Sequence, residues 1–457
     1  MTTATYNPAH TPPASTGWKA YEKILFRFFF IYFLIQVLPL DWKFYRDLFA
    51  INWLHLQYAD IFNIAHYTPS FFAGQTRFAD WAIFSGIAAA GAVIWSYLDK
   101  KNQYSTNYDA LYYWLRVLLR YRLAIALLAY GFIKFFPLQS PPPSLSNLNT
   151  PYGDFTEWKL FSLSLGIVPG YEAFLGLVEI IAAVLLLYRK TTTLGAFIVL
   201  AFTGNVFMSN LAYGGGETVY SFYLVLIALF LFAYDVPKLT NLLAFGRPTA
   251  PNNYRPSFTR PRLRYARLAL KAFVVLFFGV IYGAQTYAAI HHDPYQYPAA
   301  PGLAGAQGLY NVREFRYNHQ TLPYSDIDPI RWQDVVLEKW NTLSIRSNRP
   351  VVIDSTNVDS IHITDQDRTF ELQGSAARHY YSYQADTVHQ LLVLQNRNPH
   401  HRTEQWLLHY ERPNDSTLIL SGANQAKDSV YVVLDRVNKK YLLEEVTKKG
   451  RSKSIKL

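Results

Sequence analysis

Long apolar runs recur through the first two thirds of this chain, and they constrain its fold more than any other feature. A helix crosses the hydrocarbon core of a bilayer with roughly 20 mainly apolar residues. Such stretches lie at Tyr21–Leu40, Asp80–Leu98, Arg122–Phe136, Tyr171–Tyr188, Leu194–Leu211, Val219–Tyr234 and Leu268–Ile290, so about seven spans are expected. The helical pattern of the third extends backwards through "DALYYWLRVLLRYR", which places Arg116, Arg120 and Arg122 at an interface or inside the protein. The mean hydropathy of +0.01 hides these runs because the last third of the chain is polar. Charged residues make up only 16% and aromatics 17%, which suits a chain solvated largely by lipid.

There is no cysteine. That excludes disulfides, thiolate catalysis, iron–sulfur ligation and cysteine-type zinc sites. A net charge of +11 would suggest nucleic acid in a soluble chain. Here the basic residues cluster between apolar runs, so membrane topology explains them and no nucleic-acid partner is expected. Lys19, Lys23 and Arg27 open the first run, Lys100 and Lys101 follow the second, Arg189 and Lys190 follow the fourth, and "KLTNLLAFGRPTAPNNYRPSFTRPRLRYAR" separates the sixth from the seventh. All fall on one side if the N-terminus is cytoplasmic, and seven spans then leave the C-terminal part outside. The first run ends in "LPLDW" without a small-residue cleavage site, so it reads as a retained span. The expected layout is a tail at 1–20, a transmembrane hairpin with an outer amphipathic segment at 21–119, a helical core at 120–240, a basic loop at 241–267, a last span at 268–292, a linker at 293–307 and a β-domain at 308–457. Within the outer segments, "INWLHLQYADIFNIAHY" has helical periodicity and suits an interfacial position, while "PLQSPPPSLSNLNTPYGDFTEW" is expected to be irregular.

Past Gly308 the period changes to alternation. "GLYNVREFRYN", "WQDVVLEKWNTLSIRS", "SIHITDQDRTFELQG", "EQWLLHYERPNDSTLILSGA" and "DSVYVVLDRVNKKYLLEEV" read as strands divided by turn residues. Their spacing predicts a small antiparallel barrel, with a β-sandwich as the other solution. Gly308-Leu-Tyr310 resembles the opening of lipocalin-like barrels, with tyrosine in the tryptophan position.

"GLVEIIAAVLLLY" places Glu179 inside an apolar helix. Ionisable residues in a span face the bundle interior or a cavity and take a partner. Glu172, seven residues earlier, lies on nearly the same face. On the preceding antiparallel span "AYGFIKFF" brings Lys134 within reach of either carboxylate, and Arg122 approaches Glu179 from the inner side. The fifth span adds Asn205, level with Glu179, together with Thr203, Ser209 and Asn210. Lys134, Glu179, Asn205 and Asn210 are expected to converge inside one four-helix unit, with Lys134 and Glu179 as the chemical pair and Asn205, Asn210, Glu172 and Arg122 as ligand-binding groups. The competing reading is that such polar groups are glue between helices, or that Lys134 snorkels to the interface. The pairs His291-His292 and His400-His401 lack a third ligand, so no metal site is expected; His55 and His66, eleven apart, would share a helical face. No GxGxxG, P-loop, GxSxG or HExxH motif occurs.

From about Arg120 to Asp235 the chain resembles the DoxX family of four-helix membrane proteins. The resemblance is carried by "RYRLAIALLAYGFIKFF", with its Arg122–Gly131–Lys134 spacing, by "GLVEIIAAVLLLYRKTTTLGAF" and by "NVFMSNLAYGGGETVYSFYLVLIALFLFAYD". It covers about a quarter of the chain; the whole layout is similar to larger DoxX-like proteins of Gram-negative inner membranes that add helices and a β-domain. Some DoxX relatives are subunits of thiosulfate:quinone oxidoreductases and many have no assigned activity. The resemblance implies Glu179 and Lys134 as family-type positions, quinone as the cofactor and a quinone-linked oxidoreductase subunit as the activity. The alternative is a non-enzymatic anchor or assembly factor whose periplasmic β-domain binds an envelope partner. A transporter would require inverted repeats or broken helices, and neither is visible.

Overall fold

The computed structural model describes residues 17–72, 76–102, 106–250, 261–354, 361–362 and 364–449. In chain order the helices are α1 (Ala20–Val37), α2 (Trp42–Ala50), α3 (Tyr58–His66), α4 (Phe78–Asn102), α5 (Tyr108–Phe135), α6 (Leu145–Leu148), α7 (Glu157–Gly166), α8 (Pro169–Leu187), α9 (Thr192–Ala212), α10 (Thr218–Ala233), α11 (Val236–Leu243), α12 (Pro261–Val274), α13 (Tyr282–His292) and α14 (Leu442–Lys449). A π-helical segment, Val275–Ile281, joins α12 to α13. Among the described residues five helical stretches are long and apolar enough to cross a membrane, or six if α10 and α11, bent by 62°, form one span. The remaining expected span, α5, forms a 28-residue helix, but Arg116, Arg120, Arg122 and Lys134 hold it out of that set. Its residues 120–133 are buried on nearly every face. A helix enclosed by protein needs no apolar surface for lipid, so charges are tolerated there.

The chain divides into two compact units. The first comprises mainly Met1–Tyr45 and Thr68–Leu119. In it α1 packs along α4, closely enough that a Cβ on Gly91 would lie 2.8 Å from Ile31 Cδ1. Arg27, expected at the mouth of the first span, is instead buried and paired with Asp99 at 2.5 Å.

The second unit, mainly Arg46–Tyr67, Arg120–Asn253 and Ser257–Leu457, holds the helical core and the β-domain. α8 buries Glu172, Gly176, Glu179, Ala182, Ala183 and Leu186, a stripe at helical spacing, and exposes Phe174, Leu177, Ile181 and Val184 on its other side. Small and polar residues inside with large apolar ones outside is the pattern of a bundle built for lipid. α9 packs between α8 and α10, and α3 packs on α13. The α3 segment is shorter than its sequence pattern suggests and buries Tyr58, Ile61 and Phe62, so it is a packed helix and not a surface-lying one.

The β-domain contains β1 (Gly308–Tyr317), β2 (Gln320–Thr321), β3 (Asp334–Leu337), β4 (Thr342–Arg346), β5 (Arg378–Asp386), β6 (Leu391–Asn396), β7 (Gln405–Asn414), β8 (Thr417–Asn424) and β9 (Ser429–Arg436). The order is β2-β1-β3-β4-β5-β6-β7-β8-β9, all antiparallel, and β1 also pairs with β9. That closes an eight-stranded barrel, with β2 as a short flap on β1, and closure removes free sheet edges. The lumen is filled by Phe315, Leu337, Leu343, Tyr381, Leu394, Trp406, Leu420 and Leu434 among others, as expected for a barrel of this strand number. Three expectations are corrected. In "SIHITDQDRTFELQG" the described residues form a short 3-10 turn and bends, not a strand. "RHYYSYQAD" and "LLVLQN" supply β5 and β6, which alternation alone had not singled out. "NKKYLLEEV" leaves the barrel and forms α14.

Candidate functional site

The site starts from a glycine contact. A Cβ on Gly176 of α8 would lie 2.3 Å from the Phe135 nitrogen and 2.5 Å from the Gly131 oxygen of α5. Only glycine permits backbones to approach this far. The close approach lets Lys134 donate to Glu179 Oε1 at 2.5 Å. Both partners are inside the protein, with Glu179 buried and Lys134 nearly so. Of the two carboxylates Lys134 was expected to reach, it takes the deeper.

A cavity of about 200 Å³ adjoins this pair. Its helical wall comes from Leu127, Tyr130 and Lys134 on α5, Tyr171, Leu175 and Glu179 on α8, Phe202, Thr203, Asn205, Val206, Ser209 and Asn210 on α9, and Tyr220 and Leu224 on α10. Glu179 Oε2, Thr203 Oγ1 and Asn210 Oδ1 are buried there with no hydrogen-bond partner among the described residues. Asn205 and Tyr171 are exposed, so the cavity reaches the outer surface of the bundle along α8 and α9. Four sequence-predicted residues, Lys134, Glu179, Asn205 and Asn210, therefore share one cavity. Two do not line it. Glu172 is held away by Ser140, whose backbone N–H donates to Oε1 at 2.9 Å. Arg122 turns to the end of α3, donating to the carbonyls of Ala65 and Tyr67; it satisfies a helix terminus instead of approaching Glu179.

The outer end of the cavity was not anticipated. It is lined by Ser140 from the segment after α5, Trp158, Lys159, Phe161 and Ser162 of α7, Gln296 from the segment after α13, and Phe370 and Gln373 from the connection between β4 and β5. Thr156 caps α7, and its backbone N–H donates to the Gly374 carbonyl at 2.8 Å. Gly374 has φ +62, and a Cβ there would lie 2.3 Å from Thr156 Oγ1, so both conformation and space require glycine. This junction seats Phe370 over Lys159: the ammonium donates to the Phe370 carbonyl and lies 3.4 Å from the centre of its ring. Lys159 is 2% exposed. Burial pushes its amine down to about 7, with the Glu371 carboxylate opposing that shift. The only local signal was a lysine inside the otherwise apolar helix "WKLFSLSLG".

A second polar network locks the loop before α7 onto the barrel. Glu338 accepts from the Ser146 backbone N–H at 2.7 Å, the Ser146 hydroxyl at 2.6 Å and the Leu145 N–H at 3.2 Å. Asn147 donates to the Glu371 carbonyl at 3.1 Å, and Arg397 pairs with the Glu371 carboxylate at 2.8 Å. Burial, reinforced by the neighbouring Glu371, raises the Glu338 carboxyl to about 7. The Pro/Ser-rich segment expected to be irregular is thus the docking element of the β-domain.

The histidines do not assemble. His66 ends α3 and meets Glu217 at 3.2 Å, whereas His55 lies outside the helix. Among the described residues no group of three or more His, Cys, Asp or Glu is placed to hold a metal ion. Comparison of the chain with family models, with curated proteins and with solved structures finds no match.

Proposed function

We propose that this chain is an inner-membrane protein of DoxX-like type whose helical cavity binds the head of a quinone, and that it serves as the membrane component of a quinone-linked oxidoreductase. The observation that carries this reading is the Lys134–Glu179 pair at the cavity wall with Glu179 Oε2 left unsatisfied. A buried polar atom without a partner is costly, and a ligand hydroxyl would supply one. The carbonyl oxygens of an oxidised ring accept from the Lys134 ammonium and the Asn205 amide; a hydroxyl of the reduced ring donates to Glu179 Oε2. The aromatic rings of Tyr130, Tyr220 and Phe202 offer flat apolar walls. With α8 and α9 as spans, exposed Asn205 places the entrance at the depth of the lipid, where an apolar quinone resides. The clusters of Lys and Arg between spans set the N-terminus in the cytoplasm; α5 completes a seventh crossing, and the β-domain then faces the periplasm, where an envelope partner supplies or takes the electrons.

The test is equilibrium titration of the purified chain in nanodiscs with a short-chain benzoquinone. Lys134→Met should weaken binding of the benzoquinone, and Glu179→Gln binding of the corresponding quinol titrated under reducing conditions, each about tenfold or more, the loss of one charge-assisted hydrogen bond. Wild-type affinity in both variants sinks the reading. The anchor or assembly reading is separated by activity in cells: it requires both point variants to be silent while deletion of residues 300–457 abolishes function.

A further inference from the structure

We infer that the outer end of the cavity is a binding site for the carboxylate head of a singly charged, apolar-chained amphiphile, with Lys159 as its counter-ion. The inference rests on the reading of the cavity as a ligand site, but not on that ligand being a quinone.

Lys159 differs from the other cation that lines this cavity and from the nearest paired arginine of the barrel. Lys134 is paired with Glu179, and Arg397 with Glu371. No acidic oxygen among the described residues lies within ion-pair distance of Lys159 Nζ. An ammonium has three N–H donors; one goes to the Phe370 carbonyl, the Phe370 ring faces the ammonium at 3.4 Å, and no oxygen or nitrogen of a described residue accepts the other two. A cation buried to this degree is expensive unless an anion neutralises it. The one carboxylate that acts on it electrostatically, Glu371, is paired through Oε2 with Arg397 and makes no ion pair with Lys159. Glu157 on its own helix is not part of the cavity wall, and Glu217, which does line the cavity from the start of α10, is held by His66 at 3.2 Å.

The geometry also limits the anion. Lys159 lines the cavity beside Trp158, Phe161 and Leu165, so the group it meets has an apolar body. One ammonium balances one negative charge. A phosphomonoester, with nearly two at neutral pH, would leave a buried excess, whereas a carboxylate leaves none. Gln373 and Ser162 line the same end and offer polar contacts to the second oxygen. The depressed basicity of Lys159 agrees with a pocket that loses its charge when empty and regains it with the ligand.

The experiment is isothermal titration of the full chain in detergent at pH 8.5, with dodecanoate, dodecyl phosphate and dodecanol, each in two buffers of different ionisation heat. Dodecanoate should bind with uptake of about one proton, because an amine depressed to about 7 is neutral at that pH and the carboxylate restores its proton. Dodecanol should bind without uptake, and dodecyl phosphate at least tenfold more weakly than dodecanoate. Lys159→Met should lose both the uptake and at least tenfold in affinity; Lys159→Arg should keep affinity without uptake, since arginine is already charged. Equal dodecanoate binding by Lys159→Met, or tighter binding of dodecanol or dodecyl phosphate, overturns the inference. A benzoquinone titrated in parallel separates the two readings: quinone binding without dodecanoate binding defeats this inference alone, and failure of both ligands defeats the cavity as a ligand site.

Discussion

The two units each bury a cation–carboxylate pair inside apolar helices, and the pairs differ in what surrounds them. In the first unit Arg27 donates to Asp99 at 2.5 Å, to Ser96 at 2.5 Å and through Nε to the Tyr108 hydroxyl at 3.0 Å, while Thr106 donates to the other Asp99 oxygen at 3.0 Å. Every nitrogen and oxygen of that pair is satisfied. In the second unit Lys134 and Glu179 share a single bond, Glu179 keeps an unpartnered oxygen, and a cavity opens beside them. The same chemistry is a clasp between helices in one place and a candidate site in the other. Satisfaction of the remaining polar atoms, rather than the presence of buried charge, separates them.

That contrast breaks most sharply at Arg27. Arg27→Met leaves the half-buried Asp99 without its cation, and should destabilise the chain by about 3 kcal/mol, the lower end for a pair inside a protein, read as a fall in the thermal unfolding midpoint in detergent. If Glu179→Gln costs as much, the two pairs are alike and the contrast fails. Gly176→Ala comes next. Its methyl group meets the α5 backbone at 2.3 Å, so about 1–3 kcal/mol is expected from forced separation of the helices, together with loss of quinone binding as Lys134 and Glu179 part; unchanged binding would show that the close approach is not what sets the pair. Glu179→Gln itself removes the counter-charge but leaves an amide oxygen to accept from Lys134, which borders the cavity, so a smaller cost of about 1–2 kcal/mol is expected, while ligand binding falls.

The last test concerns pH and the junction with the barrel. Glu338 has a folded pKa raised from 4.5 to about 7. The folded state therefore binds more protons than the unfolded state between those values. Its contribution to stability is fully present below about 4.5 and is lost as pH rises through about 7. Unfolding midpoints should fall across that window, and Glu338→Gln should flatten the slope. A slope unaltered by the substitution would assign the pH dependence to another group.

The positions of helices and most strands were legible in the chain because each is written within a short window: an apolar run for a span, alternation for a strand. Glu179, Lys134, Asn205 and Asn210 were legible for the same reason, as polar residues interrupting such runs. The inward turn of Arg27 was not legible, since a basic residue near the start of an apolar run looks the same whether it faces water or pairs inside. Arg122 was assigned to Glu179 by depth alone, and helix rotation sent it to the carbonyls that end α3. Residues 361–374 alternate enough to suggest a strand, but the described part packs on α7 as a connecting loop.

By itself, the sequence determined that the chain carries membrane-type helices followed by an antiparallel β-domain, and that a carboxylate lies within an apolar helix. Only tertiary structure decided which cation that carboxylate takes, that the barrel closes through β1 and β9, and that Lys159 lies against Phe370, 211 residues away. The physical reason is range. Periodicity is a property of neighbouring residues, whereas backbone approach at Gly176, docking at Gly374 and burial of an ammonium depend on segments that meet only after the chain has folded.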